Sequence, residues 1–502
     1  MTSQASPIKI LLYFIVAMTL GCISINSYGV NNHHQAIISQ GDRLIHADIA
    51  RSKYGLDGDS INIAVISDSF NCLGTENTNQ ASSELPADIK VLQEGDCKND
   101  QMLDEGRAML EVIHDLAPKA KLIFHAMGNN SVEFSQALNQ VADNGAQIIV
   151  DDAVFFHEPM FQDSVAAQTI EKLVFERGIA YFSSSGNAGQ NSYQAAFSAS
   201  QRYPLGIKQG LAHNFNQHSN PVDTCQSITV GADIFTIISL QWDQPIKSID
   251  SNGSASDLDL IIYDDAECKK ISTKHVLGGT SNNLGADPIE VVGYDNQGNQ
   301  KRKTIGIQIL LVSGPPPNLL KYILSGSSLA SEHPAINQHT TPHADSSAFG
   351  HANANGAFIV GAVEMPLSGQ PIKPSYYSSK GGVPILFNQQ GQRLTSPLIR
   401  NHVNAVAPTN VNTSFFSPIR PDLEKDGYPN FTGTSAAAPH AAAVAALVLQ
   451  AASQKALTLK PTQLYELLEL SSLDLGEPNY DFATGYGLIQ ADQAIELLQK
   501  TF

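Results

Sequence analysis

Gly433-Thr434-Ser435-Ala436-Ala437-Ala438-Pro439-His440 opens an alanine-rich run that continues to Leu449. Side chains that small and apolar suit a helix passing through the middle of a core rather than over a surface. Gly433 allows close approach of the backbone to another molecule. Ser435 stands in the first turn, at the positive end of the helix dipole, where a backbone N–H can help hold a developing oxyanion. The alternative reading makes Ser435 a plain N-cap, a position serine favours on its own account. A nucleophile displayed at a helix mouth accounts for the whole octapeptide, glycine and proline included.

Two further segments prepare the same kind of site. Ile61-Asn62-Ile63-Ala64-Val65-Ile66-Ser67-Asp68-Ser69 reads as a buried parallel strand ending in a carboxylate, where ligands gather in open α/β sheets. Ala180-Tyr181-Phe182-Ser183-Ser184-Ser185-Gly186-Asn187-Ala188-Gly189 reads as a second strand running into a glycine-flanked asparagine. The alternative for Asn187 is an ordinary turn asparagine between glycines.

Together the three segments resemble the subtilases and the related sedolisins, over roughly 50–210 and 345–500. The octapeptide resembles their nucleophile motif, 61–69 the strand bearing the subtilase aspartate, and 180–189 the oxyanion-hole segment. Tyr377-Ser378-Ser379-Lys380-Gly381 is similar to a recurring structural turn of subtilases. The resemblance implies an α/β fold with a subtilisin-like, parallel, doubly wound sheet. It also implies Ser435 as nucleophile, Asp68 as the supporting acid and Asn187 as the side-chain donor of the oxyanion hole.

One landmark is different. Subtilases carry His-Gly-Thr at the start of a helix between the aspartate strand and the asparagine, and this chain has no His-Gly-Thr. The corresponding helix is 104–113, followed by Ala117-Pro118-Lys119-Ala120, similar to the turn that follows the base-bearing helix in both families. Counting back from that turn puts Glu105, followed by Gly106, at the base position. A glutamate there is the sedolisin arrangement, yet the place of the sedolisin aspartate four residues later is held by Met109, and the oxyanion position has asparagine rather than aspartate. The expectation is a hybrid Ser435-Glu105-Asp68 triad. Two carboxyls in one site share a proton and titrate as a pair. Glutamate ordinarily titrates near 4.3 and histidine near 6.5, so a glutamate base predicts an acid-shifted optimum. Asp104 points about 100° away from Glu105 on a helix. His114, about two and a half turns along, falls on the opposite face, and a histidine at the position of His440 is structural in subtilases.

A peptide substrate would lie as an added strand beside Gly128 and 150–153, with Asp151, Asp152 and Ala153 as contacts and the two aspartates favouring basic side chains. Residues 220–325 change to short alternating segments broken by turn residues, at 227–230, 236–242, 258–263, 305–311 and 320–324, the pattern of an inserted antiparallel β-sandwich. The expected domains are a leader at 1–29, a peptidase domain in two parts at 30–219 and 326–502, and the sandwich between them. Asp257 and Asp259, and the loop 481–487, leave Ca²⁺ open as a ligand; no metal residue is assigned.

Lys9 and the apolar stretch 10–21 read as a signal peptide, with cleavage after Gly29, and Leu20-Gly21-Cys22 offers lipid attachment at Cys22 as a second possibility. No other segment is apolar enough to span a bilayer on this reading. The four cysteines beyond Cys22 suggest two bridges, Cys72 with Cys97 and Cys225 with Cys268, in an exported protein. A length of 502 residues accommodates two or three domains. A net charge of −18 argues against nucleic acid and anionic membrane surfaces as partners. The expected function is a secreted serine endopeptidase acting on proteins. The alternative is a catalytically impaired exported binding or adhesion protein, favoured by the altered base and by the short stretch 30–60, where both families usually carry a long pro-domain.

Overall fold

A computed structural model describes residues 37–74, 84–99, 102–204, 209–217, 221–249, 252–326, 334–340, 345–366, 370–400, 403–415 and 422–502. The leader expected at 1–29, with its cleavage after Gly29, and the candidate lipidation site Cys22 lie outside these residues. Seven parallel strands form the central sheet: β1 (Asn62–Ser67), β2 (Lys90–Gln93), β3 (Lys121–Ala126), β4 (Ile148–Asp151), β5 (Ala180–Ser184), β6 (Phe358–Glu364) and β7 (Ala405–Thr409), in the order β2-β3-β1-β4-β5-β6-β7. β1, β4 and β5 are buried almost throughout, as strands covered on both faces require. Helices α1 (Glu105–Leu116), α2 (Ser131–Asp143), α3 (Val165–Phe175) and α4 (Thr434–Gln454) pack around the sheet.

The alanines from Ala436 to Ala446 are all fully buried, and absent bulk lets α4 lie close against α1 and the central strands. This helix corrects one expectation: by length and composition it is apolar enough to cross a bilayer. It is instead the core helix, with 94% of its most apolar window buried.

Between β5 and β6 the chain builds two antiparallel sheets. One has the order Val276–Gly278, Ile289–Asp295, Phe235–Trp242, Leu320–Gly326, Ser192–Ala195; the other is built around the long strand Lys303–Ser313. Residues from both, among them Trp242, Tyr322, Leu260 and Ile307, share one apolar core. Their strands run from Ser192 to Ile336, wider than 220–325, because Ser192–Ala195 pairs with Leu320–Gly326 and Ala335–Ile336 with Gln226–Val230. These short pieces lack the alternation that reveals a strand in sequence. The bridges Cys72–Cys97 and Cys225–Cys268 are both present.

Candidate active site

The carboxyl ends of β1, β4 and β5 and the amino ends of α1 and α4 meet at one edge of the parallel sheet, where such folds hold ligands. Asp68 leaves β1 and is almost fully buried. Its Oδ1 accepts the amides of Ser69 at 2.5 Å and Glu105 at 2.8 Å, and its Oδ2 accepts that of Leu103 at 2.6 Å. The start of α1 is therefore tied to the end of β1 through one carboxylate, which places Asp68 and Glu105 at the same corner. Burial, and then the Glu105 charge, push the Asp68 carboxyl up to about 7, against the pull of its amide donors. Glycine follows Glu105 for a steric reason: a Cβ at Gly106 would come within 2.2 Å of the Phe124 ring and 2.8 Å of the Ser69 carbonyl.

The neighbours considered as rival bases are committed elsewhere. Asp104, in the left-handed conformation at φ 58°, accepts the amides of Cys72 at 2.7 Å and Leu73 at 3.0 Å and so anchors the disulfide loop. His114 is partly buried late in α1, and burial lowers its pKa. His440 is fully buried, with Nδ1 2.7 Å from the Ala436 carbonyl and Nε2 2.8 Å from the Ser39 hydroxyl; burial lowers its pKa to about 4. Met109 lies wholly in the core.

Ser435 is the second residue of α4, 7% exposed, with its N–H among those a helix start leaves unbonded. Gly433 precedes the helix at φ 114°, a conformation that excludes other residues at low cost. Asn187 is fixed to the same helix: its Oδ1 accepts the Thr434 amide and the Thr434 hydroxyl, each at 3.0 Å. The amide's donor, Nδ2, lies beside Gly433, 3.2 Å from where a Cβ on that residue would stand.

Four residues were expected to contact substrate, and they do not stay together. Gly128, at φ 76°, closes over Glu133 in the loop after β3. Ala153 lines a pocket of about 130 Å³ with Val154, Phe155, Asn187 and Ser325. Asp151 is fully buried and unable to meet a substrate side chain. Its carboxylate accepts from Tyr181 Oη and Ser183 Oγ, and its Oδ1 lies 3.1 Å from His351 Nε2. The other ring nitrogen, Nδ1, is 2.5 Å from Glu158 Oε2. Burial opposes charge on His351, yet Glu158 and Asp151 push it up to about 10, so the imidazolium is clamped between two carboxylates. Asp152 follows on the other face, as alternation along a strand demands, and turns toward Glu105 and Asp68. His351 and Glu158 had no signal in sequence. The doublet Asp151-Asp152 did have one, because neighbours at a strand end face opposite ways.

The model of the subtilase family matches residues 333–487, which hold Ser435 but neither Asp68, Glu105 nor Asn187. Fervidolysin of Fervidobacterium pennivorans is 41% identical over 69 residues, 14% of this chain. The matched stretch spans only 9% of the length of that curated relative. The structure of the Clostridium perfringens CspB protease superposes with a TM-score of 0.54 at 11% identity, covering 92% of this chain and 99% of that one. At that identity the likeness concerns the fold. Residues 333–487 are thus a match to the subtilase family, carried on a chain whose parallel sheet and flanking helices form a subtilisin-like α/β fold.

Proposed function

We propose that the protein is an exported serine endopeptidase that hydrolyses peptide bonds in proteins through Ser435, Glu105 and Asp68. The bond from the Glu105 amide to Asp68 Oδ1 carries this reading, because it sets the two carboxyls at one corner of the sheet edge that the amino end of α4 shares. Ser435 Oγ attacks the scissile carbonyl carbon and its proton passes to the Glu105 carboxylate. The oxyanion accepts from Asn187 Nδ2 and the Ser435 N–H. Glu105 returns the proton to the leaving amine, and water then hydrolyses the acyl-enzyme by the same route in reverse. Asp68, held by three amides, keeps the start of α1 and its glutamate in place. The subtilase match around Ser435 supports the reaction class. The two disulfides support export to an oxidising compartment.

The test is hydrolysis of an unfolded protein from pH 3 to 8, together with fluorophosphonate labelling. Wild type is expected to cleave best below neutrality and to label, while Ser435→Ala and Glu105→Gln each lose cleavage by about three orders of magnitude or more. A well-folded wild type that neither cleaves nor labels would sink the reading in favour of a binding protein; a Glu105→Gln variant with full activity would remove Glu105 as the base.

A further inference from the structure

Asp152 is a carboxyl at this corner that the triad does not use. Its Oδ2 is buried and has no hydrogen-bond partner among the described residues. Oxygens of that kind are costly if the group is ionised, since a buried carboxylate needs donors. Among the described residues no cation is found against Asp152; the nearby imidazolium of His351 is engaged by Asp151 and Glu158. The titratable groups facing Asp152 are all acids: Glu105 from α1, Asp68 from the end of β1 and Asp151 from its own strand, with the Ser67 hydroxyl of β1 as the polar neighbour. The β1–β4 register explains the meeting. Ile66 pairs with Asp151, so the next residue of each strand brings Asp152 beside Ser67, one position before Asp68.

Two of these acids already have their partners. Asp151 is held by His351, Tyr181 and Ser183, and Asp68 by three backbone amides. A neutral Asp152 resolves the orphaned oxygen, because a protonated carboxyl turns an unsatisfied acceptor into a donor. Burial, followed by the charges of Glu105 and Asp68, holds its pKa well above the usual carboxylate range, in agreement.

We propose that Asp152 is a positioning residue for the base: protonated in the fold, it donates a hydrogen bond from Oδ2 to the Glu105 carboxylate and fixes the orientation of the oxygen that faces Ser435. During attack the Ser435 proton goes to the other Glu105 oxygen, and the Asp152 proton stays where it is. Asp152 thereby does for this glutamate what the missing acid at Met109 does not. The proposal rests on Glu105 being the base and replaces a contact between Asp152 and basic substrate side chains.

Full-length protein labelled with ¹³C at aspartate carboxyls tests the proton directly, with the Asp152 signal assigned by its loss in Asp152→Asn. The expected result is an Asp152 carboxyl still protonated above pH 6 that titrates at lower pH in Glu105→Gln, where its strongest neighbouring charge is gone. Titration of Asp152 in the ordinary carboxylate range, or no response to Glu105→Gln, overturns the proposal. That measurement decides even if wild type proves inert, an outcome that would sink the triad alone. Kinetics supply the second arm. Asp152→Asn, still a donor, is expected to keep kcat within about threefold, while Asp152→Ala lowers kcat by about 100-fold with KM changed less than about twofold. An unchanged kcat in Asp152→Ala, or a rise in KM confined to substrates with basic side chains, overturns it.

Discussion

Asn187 and Gly106 show how single residues set this corner. Asn187 offers Nδ2 because Thr434 occupies its Oδ1. Asn187→Ala is therefore expected to lower kcat by about 10²–10³ with little change in KM, measured on a protein substrate. Gly106→Ala forces the start of α1 away from Phe124 and the Ser69 carbonyl. Its expected signature is loss of activity beyond any loss of stability, seen by comparing turnover with the urea midpoint, since the displaced element carries Glu105. Asp68, Asn187 and Ser435 stood out in sequence as candidates because each lies where a strand ends or a helix starts within a recognisable run. Glu105 became a candidate only by counting back from 117–120. That Asp151 and Asp152 face opposite ways could be read from strand alternation, but the partners of Asp151 could not, because they come from residues up to 200 positions away.

At the scale of elements, the segment that follows β4 is fastened by charge. His351 lies in the short 3-10 turn Gly350–Asn353, bridges Asp151 and Glu158, and packs its ring 4.7 Å from that of Phe134. Its pKa is raised in the fold, so the stabilisation is complete below about 6.5 and is lost as pH rises through about 10. His351→Ala leaves two buried carboxylates without their cation and should cost about 3–5 kcal/mol in denaturant unfolding at pH 6. His440 has the opposite sign. Its folded pKa of about 4 lies below the unfolded value, so the unfolded chain takes up the proton first and stability falls as pH drops from about 6.5 to 4. His440→Gln should flatten that fall in thermal midpoints, and about 3 kcal/mol is at stake. Phe235–Trp242, Asp257–Tyr263, Lys303–Ser313 and Leu320–Gly326 were readable from their alternation, but Ile289–Asp295 was not, because adjacent valines and a glycine break its period. Ser192–Ala195 and Ala335–Ile336 were not, being too short to show a period.

Over the whole molecule, the two sheet systems meet beside the candidate site. Gln241, from the antiparallel strand Phe235–Trp242, accepts the Met160 amide at 2.7 Å and donates to the Glu158 carbonyl at 2.7 Å. The Ser239 hydroxyl donates to the Phe156 carbonyl at 2.9 Å. These bonds hold the segment after β4 from outside while His351 holds it from within. Gln241→Ala should raise KM more than it lowers kcat, read from initial rates with a protein substrate, because it loosens the pocket lined by Phe156 and Glu158 while leaving Ser435 untouched. The mean fold was predictable from three segments, but this junction joins residues about eighty positions apart and leaves no local mark in the chain. Ser325 and Gly326, at the end of the inserted strand Leu320–Gly326, complete the wall of the same pocket. The insertion is therefore no interchangeable cassette: trimmed away for expression, or traded for the corresponding piece of a relative, it would take one side of the cleft with it, and whatever the cleft admits would change too.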